Sequence, residues 1–138
     1  MKPLYTASAV ATGDGRNGHV ESTDGLVSTD VRTPTEMGGP GGATNPEQLF
    51  AAGYAACFHS ALKVVAKKAG ADAGESEVVA DVSIGENGEG GFGLAVGLEV
   101  TLPNVAREDA EKLVEAAHQV CPYSNATRGN IEVTLTVA

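Results

Sequence analysis

The sequence predicts an α+β domain with an antiparallel sheet, and three patterns carry this prediction. Short segments near the start, middle and end of the chain alternate apolar with polar residues, which is typical of half-buried strands. One longer segment is apolar on nearly every side and another carries a single apolar stripe, the patterns of a buried and an amphipathic helix. The order of strands, buried helix, hairpin, amphipathic helix and final strand indicates the α+β class.

The amino-terminal third is predicted to form short strands. A strand-compatible stretch through Ala11 leads into residues 12–18, where Asp-Gly and Asn-Gly pairs predict tight turns. Residues 19–33 supply one or two returning strands around a turn at 24–25. The stretch 34–44 is rich in Gly and Pro and is therefore predicted to be a loop.

A long helix is predicted to follow this loop. Asn45 is a suitable N-cap, and Pro46 fits the first helical position because its missing N–H has no partner there. From residue 49 to 61 nearly every side chain is apolar or small, which predicts a helix buried on all sides. Two lysines followed by Gly70 mark its end.

The remaining residues predict a hairpin, a second helix and a last strand. Segments 78–84 and 94–100 alternate around a Gly-rich turn. Residues 107–120 place Ala, Leu and Val on one stripe of an amphipathic helix that ends before a proline, and residues 131–137 alternate again. With 138 residues the chain is expected to form one domain, 1–138.

Composition and charge argue against several classes of function. The chain has 18 acidic and 9 basic residues, a net charge of -9, and no basic run that would bind nucleic acid. Its first residues lack the pattern of a secretory signal, and no apolar run is expected to reach membrane-spanning length. We therefore expect a cytoplasmic protein without membrane insertion and without a nucleic-acid partner.

The two cysteines are the first candidates for chemistry. Cys57 lies inside the apolar helix and Cys121 at the end of the amphipathic one. In a reducing compartment such a pair is more often redox-active, catalytic or metal-binding than a structural bridge. The three histidines are scattered rather than placed at ligand spacing, which argues against a metal site. The alternative is that the cysteines are two unrelated buried side chains.

Four further residues are candidates around Cys57. Arg16 lies on a Gly-rich turn from which its charge could favour a thiolate, and Glu47 could orient an arginine through a two-pronged ion pair. Their alternatives are a solvated turn residue and a first-turn carboxylate. Tyr54 and Phe58 flank Cys57 at helical spacing and would form either core or the wall of an apolar substrate pocket.

Three segments together resemble the organic hydroperoxide resistance proteins of the Ohr/OsmC superfamily. The resemblance covers nearly the whole chain in the right order, and the second and third segments are specific. The segments are G-R-N-G at 15–18, G-G-A-T-N-P-E-Q-L-F-A-A-G-Y-A-A-C-F at 41–58 and V-C-P-Y-S-N-A at 120–126.

The resemblance implies a fold, an activity and a role for each residue. The fold is OsmC-like, an intertwined homodimer with a long buried central helix. The residue matching Cys57 attacks the peroxide, the one matching Cys121 resolves the product, and those matching Arg16 and Glu47 organise the site. The implied substrates are alkyl and lipid hydroperoxides, and the implied reductant is an external dithiol, dihydrolipoyl groups of a lipoylated protein. No bound cofactor or metal is implied.

Two other functions remain open at this stage. One is an OsmC-like peroxidase that uses a broader range of peroxides. The other is a redox-sensing or small-ligand-binding protein whose disulfide forms without turnover. Catalytic consumption of an alkyl hydroperoxide in the presence of a dithiol distinguishes the last from both enzymes.

Helix geometry adds a prediction about which chain supplies Glu47. If residues 47–57 form one unbroken helix, Glu47 and Cys57 lie about 15 Å apart along its axis. The resemblance nevertheless places both in one site. A two-fold dimer in which Glu47 of one subunit reaches Cys57 of the other satisfies both conditions.

Overall fold

The computed structural model describes all 138 residues and confirms the α+β class. Contacts divide the chain into two compact units, Met1–Leu49 and Phe50–Ala138, which are described separately below. The strands are β1 (Ala9–Thr12), β2 (His19–Ser22), β3 (Ser28–Asp30), β4 (Glu77–Glu86), β5 (Phe92–Thr101) and β6 (Glu132–Val137), and the helices are α1 (Pro46–Ala69), α2 (Arg107–Val120) and α3 (Pro122–Thr127).

The first unit contains a three-stranded antiparallel sheet in the order β1-β2-β3. The two hairpin turns lie where the Gly pairs indicated. The connection from β1 to β2 includes a short 3-10 turn, Gly15–Asn17, that carries Arg16. Asn17 Oδ1 accepts a hydrogen bond from the Thr33 N–H at 3.0 Å, so this turn is tied to the chain that leaves β3.

Helix α1 begins and ends as its sequence predicts. Asn45 Oδ1 accepts the Gln48 N–H at 2.9 Å, an N-cap bond that satisfies one of the free amides of the first turn. At the other end Gly70 adopts a φ of 70°, and the Ala71 N–H reaches back to the Ala66 carbonyl at 2.9 Å. This left-handed termination suits glycine because glycine has no Cβ. The helix has no break between these ends.

Within a single chain, α1 is buried on one face and not on all sides. One face lies in the core, but Leu49 and Val64 on other faces are 38% and 49% exposed. By length and composition α1 also qualifies as a membrane span, which corrects the expectation that no apolar run reaches that length. A core helix meets the same criterion, and the buried residues of α1 are Tyr54, Phe58, Ala61, Leu62 and Ala66.

The sheet of the second unit is mixed rather than wholly antiparallel. Strands β4 and β5 form the expected antiparallel hairpin, whereas β6 pairs with β5 in parallel. A parallel pair requires a crossover connection, and α2 with α3 provides it. Alternation within β6 identified a strand but contained no information about its direction.

The core of the second unit lies between this sheet and the helices. Strand β5 contributes Val96, Leu98 and Val100, and the apolar stripe of α2 contributes residues such as Leu113 and Ala117. These side chains are at most 6% exposed. The amphipathic assignment of α2 is therefore confirmed, and its buried stripe belongs to the same core cluster as the buried residues of α1.

The short helix α3 was not predicted from the sequence. Cys121 joins it to α2: its N–H donates to the Ala117 carbonyl and its own carbonyl accepts the Asn125 N–H, both at 2.9 Å. Pro122 occupies the first position of α3, where its lack of an N–H has no cost. The proline that ends α2 thus also begins α3, and the junction holds Cys121.

Candidate active site

The structure brings the two cysteines together. Although they are 64 residues apart in sequence, the Cys121 thiol points to the Cys57 sulfur with an Sγ–Sγ distance of 3.5 Å. Both are free thiols. Cys121 has no exposed surface, whereas Cys57 is partly exposed. A reagent from solvent therefore meets Cys57 first, and Cys121 can react with what forms there.

The surroundings within this unit do not favour a thiolate at Cys57. Burial is the main cause that raises the pKa of Cys57 above its ordinary value, and the neighbouring Cys121 thiol raises it further. The backbone N–H of Tyr123 acts in the opposite direction, because it donates to the sulfur. The net effect keeps Cys57 protonated at neutral pH. A nucleophilic role therefore requires a positive charge in addition to these groups.

The first unit holds Arg16 and Glu47 in the two-pronged ion pair expected from the sequence. Arg16 donates from Nη1 to Glu47 Oε2 at 2.9 Å and from Nη2 to Oε1 at 2.7 Å. The Glu47 side chain is 13% exposed and the Arg16 side chain 38% exposed. The bond from Arg16 holds the pKa of Glu47 below its ordinary value, and the same bond raises the pKa of Arg16. Arg16 is thus a permanently charged and oriented guanidinium.

Tyr54 and Phe58 do not form an exposed pocket wall. Both side chains have no exposed surface and belong to the core cluster of the second unit. A wall needs surface that a ligand can reach, so the pocket interpretation of these two residues is corrected. The helical stripe that suggested it contains the residues that α1 turns toward the sheet.

Exposed aromatic surface beside Cys57 comes instead from a residue of α3. The Tyr123 side chain is 40% exposed and packs against Phe50 and Tyr54, with ring centroids 6.2 and 5.7 Å away. Its ring lies across α1 at Gly53, where a Cβ would be only 3.1 Å from the Tyr123 hydroxyl. Glycine at position 53 therefore permits this close approach.

A chain of buried hydroxyl groups connects α1 to α3. Thr127 donates its only hydroxyl proton to the Ser124 carbonyl at 3.1 Å, so it accepts from the Tyr54 hydroxyl, also at 3.1 Å. The Tyr54 oxygen in turn accepts from the Ser124 hydroxyl at 2.8 Å. Ser124 accepts from His118 Nδ1 at 2.8 Å. Burial lowers the pKa of His118, with a further contribution from Arg128, which keeps the imidazole neutral.

Sequence reasoning did not find this hydroxyl chain. The helical pattern predicts Tyr54 as either core or pocket wall, and neither prediction includes a hydroxyl partner. Ser124 and Thr127 are hydroxyl residues three positions apart, a spacing that places both side chains on one face of a helix. Their partner on α1 is 70 residues away in the chain, so the spacing alone could not identify it.

The residues 1–138 contain no cluster of three or more metal-ligating side chains. The chemistry within reach of the dithiol is two-electron thiol–disulfide exchange.

Comparison with known proteins identifies the family of this chain. The family model of OsmC-like proteins matches residues 39–136, which include both cysteines and Glu47. The chain belongs to the OsmC-like protein family. An organic hydroperoxide resistance protein of Xanthomonas axonopodis pv. citri is 53% identical over 139 residues, covering 99% of this chain and 96% of that protein.

Solved structures that resemble this OsmC-like chain include organic hydroperoxide resistance proteins. An organic hydroperoxide resistance protein from Elizabethkingia anophelis, with crystallant-derived thiocyanate bound, is 57% identical with a TM-score of 0.94, covering 100% of this chain and 99% of that one. A putative one from Vibrio cholerae, with captopril in one of the active sites, is 51% identical with a TM-score of 0.93, covering 99% and 94%. The resemblance read from the three segments is confirmed.

Proposed function

We propose that this protein is a cysteine-based peroxidase that reduces organic hydroperoxides, both alkyl and lipid, to alcohols. The observation that carries the proposal is the dithiol: two free sulfurs 3.5 Å apart, one partly exposed and one buried. The similar proteins from Xanthomonas and Elizabethkingia are named for resistance to organic hydroperoxides. A dithiol of this asymmetry suits such a substrate, because one sulfur receives the peroxide and the other closes the cycle.

The reaction runs in two steps. The Cys57 thiolate attacks the distal peroxide oxygen, the O–O bond breaks, and the leaving alkoxide takes a proton to become the alcohol. Cys57 is then a sulfenic acid. Cys121 attacks the Cys57 sulfur, an S–S bond forms, and the hydroxyl leaves as water with the Cys121 proton. Both electrons given to the peroxide come from the two sulfurs.

An external dithiol restores the two thiols by exchange. We assign this role to dihydrolipoyl groups of a lipoylated protein, whose two thiols are oxidised to a cyclic disulfide as the Cys57–Cys121 bridge is reduced. The sulfurs need no bound cofactor for either half of the cycle. A cytoplasmic location suits this reductant and maintains free thiols.

The active unit is a homodimer with composite sites. Cys57 needs a positive charge, since its pKa is raised by burial, and the oriented guanidinium of Arg16 is a suitable group. Because α1 is unbroken, Glu47 and Cys57 of one chain lie about 15 Å apart along the axis. The Arg16–Glu47 pair of one subunit therefore serves the dithiol of the other.

Exposed apolar surface supports the dimer. In the first unit Leu4, Tyr5, Val10 and Leu26 are all exposed, and so are several faces of α1. Monomeric proteins rarely leave so many large apolar side chains in water. A partner that covers them would also exclude water from the dithiol and strengthen the attraction between Arg16 and the thiolate.

The test is peroxide consumption with a dithiol present. We expect the wild type to turn over cumene hydroperoxide with dihydrolipoamide, and faster than it turns over hydrogen peroxide, because only the organic substrate has apolar surface to bury. Cys57→Ser should abolish turnover, and Cys121→Ser should leave one oxidation event per chain. A disulfide that forms once without turnover would identify a redox sensor, and a preference for hydrogen peroxide would favour the broader OsmC-like peroxidase.

A further inference from the structure

The hydroxyl and sulfur contacts between α1 and α3 form two adjacent rungs. On α1, Tyr54 and Cys57 are three residues apart, so their side chains lie on neighbouring turns of the same face. Around the start of α3, Cys121 and Ser124 have the same spacing. The upper rung joins Tyr54 to Ser124 at 2.8 Å, and the lower rung joins Cys57 to Cys121 at 3.5 Å.

The hydroxyl rung is the rigid one of the two. Tyr54 and Ser124 have no exposed surface and Thr127 is 1% exposed, and each hydroxyl in this set donates once and accepts once. Such fully satisfied buried networks hold their members in one arrangement, since any displacement leaves an unpaired group away from water. The sulfur rung has no comparable constraint of its own.

The rungs share the two backbones that carry them. A disulfide requires the sulfurs to close from 3.5 Å to about 2.05 Å with Cα atoms within about 7 Å. The separation of α1 from α3 sets that Cα distance. Ser124 is one turn beyond Cys121, and the Asn125 N–H donates to the Cys121 carbonyl, so a bond made at Ser124 constrains the backbone of Cys121 directly.

We propose that Tyr54 is a positioning residue for the resolving step: its hydroxyl, bonded to Ser124 and Thr127, holds α3 on α1 and so keeps Cys121 within reach of the oxidised Cys57. In that step the Cys121 sulfur displaces the hydroxyl of the Cys57 sulfenic acid, forming the S–S bond and water. This role deepens the proposed peroxidase function and rests on it. The same geometry should also affect how readily Cys57 and Cys121 form a disulfide with any other oxidant.

The first experiment measures the dithiol without peroxide. The protein is equilibrated in buffers of reduced and oxidised glutathione, quenched and alkylated, and the disulfide fraction is read by mass spectrometry. Tyr54→Phe removes the hydrogen bonds to both Ser124 and Thr127, so it should lower the effective concentration of Cys121 at Cys57 by roughly five- to a hundredfold. Thr127→Val should act in the same direction, and Thr127→Ser, which keeps the hydroxyl, should restore the wild-type value.

A matched control separates positioning from general loss of stability. Leu98→Val removes one methylene from the same core on β5 without removing any hydroxyl, and it should leave the glutathione equilibrium unchanged. An equal shift in Leu98→Val, no shift in Tyr54→Phe and Thr127→Val, or a shift toward the disulfide in those two variants would each overturn the proposal.

The second experiment tests the resolving step itself. With excess cumene hydroperoxide and no reductant, slow resolution leaves the Cys57 sulfenic acid open to a second peroxide, which converts it to sulfinic acid. We expect a severalfold larger sulfinic fraction in Tyr54→Phe than in wild type or Leu98→Val. An equal sulfinic fraction in all three proteins would contradict the positioning role. If the wild type does not react with the peroxide at all, the proposed function fails, while the glutathione equilibrium still decides the role of Tyr54.

Discussion

At the scale of single residues, the two cysteines differ because of what surrounds them. Both are small sulfur side chains in apolar sequence, yet Cys57 is partly exposed and Cys121 is not. Burial and the Cys121 thiol raise the pKa of Cys57, against one opposing backbone N–H from Tyr123. Reactivity at neutral pH therefore depends on a charge from elsewhere, and Arg16 is the oriented candidate.

Replacement of Arg16 tests this dependence. We expect Arg16→Ala to slow the peroxide step by roughly 100- to 1000-fold, the usual cost of one charge-assisted donor in an enclosed site. The pH at which iodoacetamide reaches half its maximal rate with Cys57 should also rise, because the thiolate loses its cation. The control is Arg107→Ala on the exposed surface of α2, which should match wild type. Equal rates in Arg16→Ala and wild type would make Arg16 a plain turn residue.

The Arg16–Glu47 ion pair is expected to make the free energy of unfolding depend on pH. Arg16 lowers the pKa of Glu47 in the folded state, so the pair stabilises the fold fully above the unfolded pKa of about 4.3. As pH falls through the folded pKa this contribution is lost. Because Arg16 is partly exposed, we expect at most about 1 kcal/mol.

Urea unfolding between pH 7 and pH 3 measures this contribution. The difference in free energy of unfolding between wild type and Glu47→Gln should shrink toward zero at the acid end. The exposed Glu77→Gln on β4 provides the background of a carboxylate without such a partner. A difference that stays constant over the whole pH range would show that Glu47 acts through its shape and not through its charge.

At the scale of elements, the Asn45 cap fixes the start of α1, the helix that carries Glu47 and Cys57. The Asn45 side chain bonds to the first turn, directly beside Glu47. Asn45→Ala should cost about 1 kcal/mol in the free energy of unfolding, and Asn45→Asp should retain most of it because aspartate caps equally well. Thermal and urea unfolding measure the difference, and an unchanged midpoint in Asn45→Ala would show that the helix start is held by other contacts.

At the scale of the whole molecule, the composite site can be tested by mixing two inactive variants. Arg16→Ala and Cys57→Ser each lack one half of every site. If one subunit supplies Arg16 and the other Cys57, a mixed dimer contains one complete site, and random exchange restores roughly a quarter of wild-type activity. If both come from the same chain, mixing restores nothing.

Sedimentation of the wild type should show a dimer, and an active monomer would exclude composite sites.

Much of the local structure was determined by the sequence alone. The caps at Asn45 and Gly70 and the alternation around residues 86–91 act over a few residues, so they predicted α1 and the β4–β5 hairpin correctly. The three motif segments identified the family, and the resemblance predicts Cys57, Cys121, Arg16 and Glu47 as the site. These signals are either local in the chain or matches to a sequence motif, so they do not depend on which distant parts of the chain come into contact.

Only the tertiary structure decided the partners. Alternation shows that β6 is a strand but not that it pairs in parallel with β5. Apolar side chains around α1 do not reveal that one face is core while others remain exposed, because hydrophobicity alone does not specify what covers a surface. Helical spacing left Tyr54 as either core or pocket wall, and only the folded chain shows that its hydroxyl binds Ser124, 70 positions away. Long-range contacts of this kind arise from packing. A sequence pattern shows which side chains are available for packing, but it does not show which of them will be in contact.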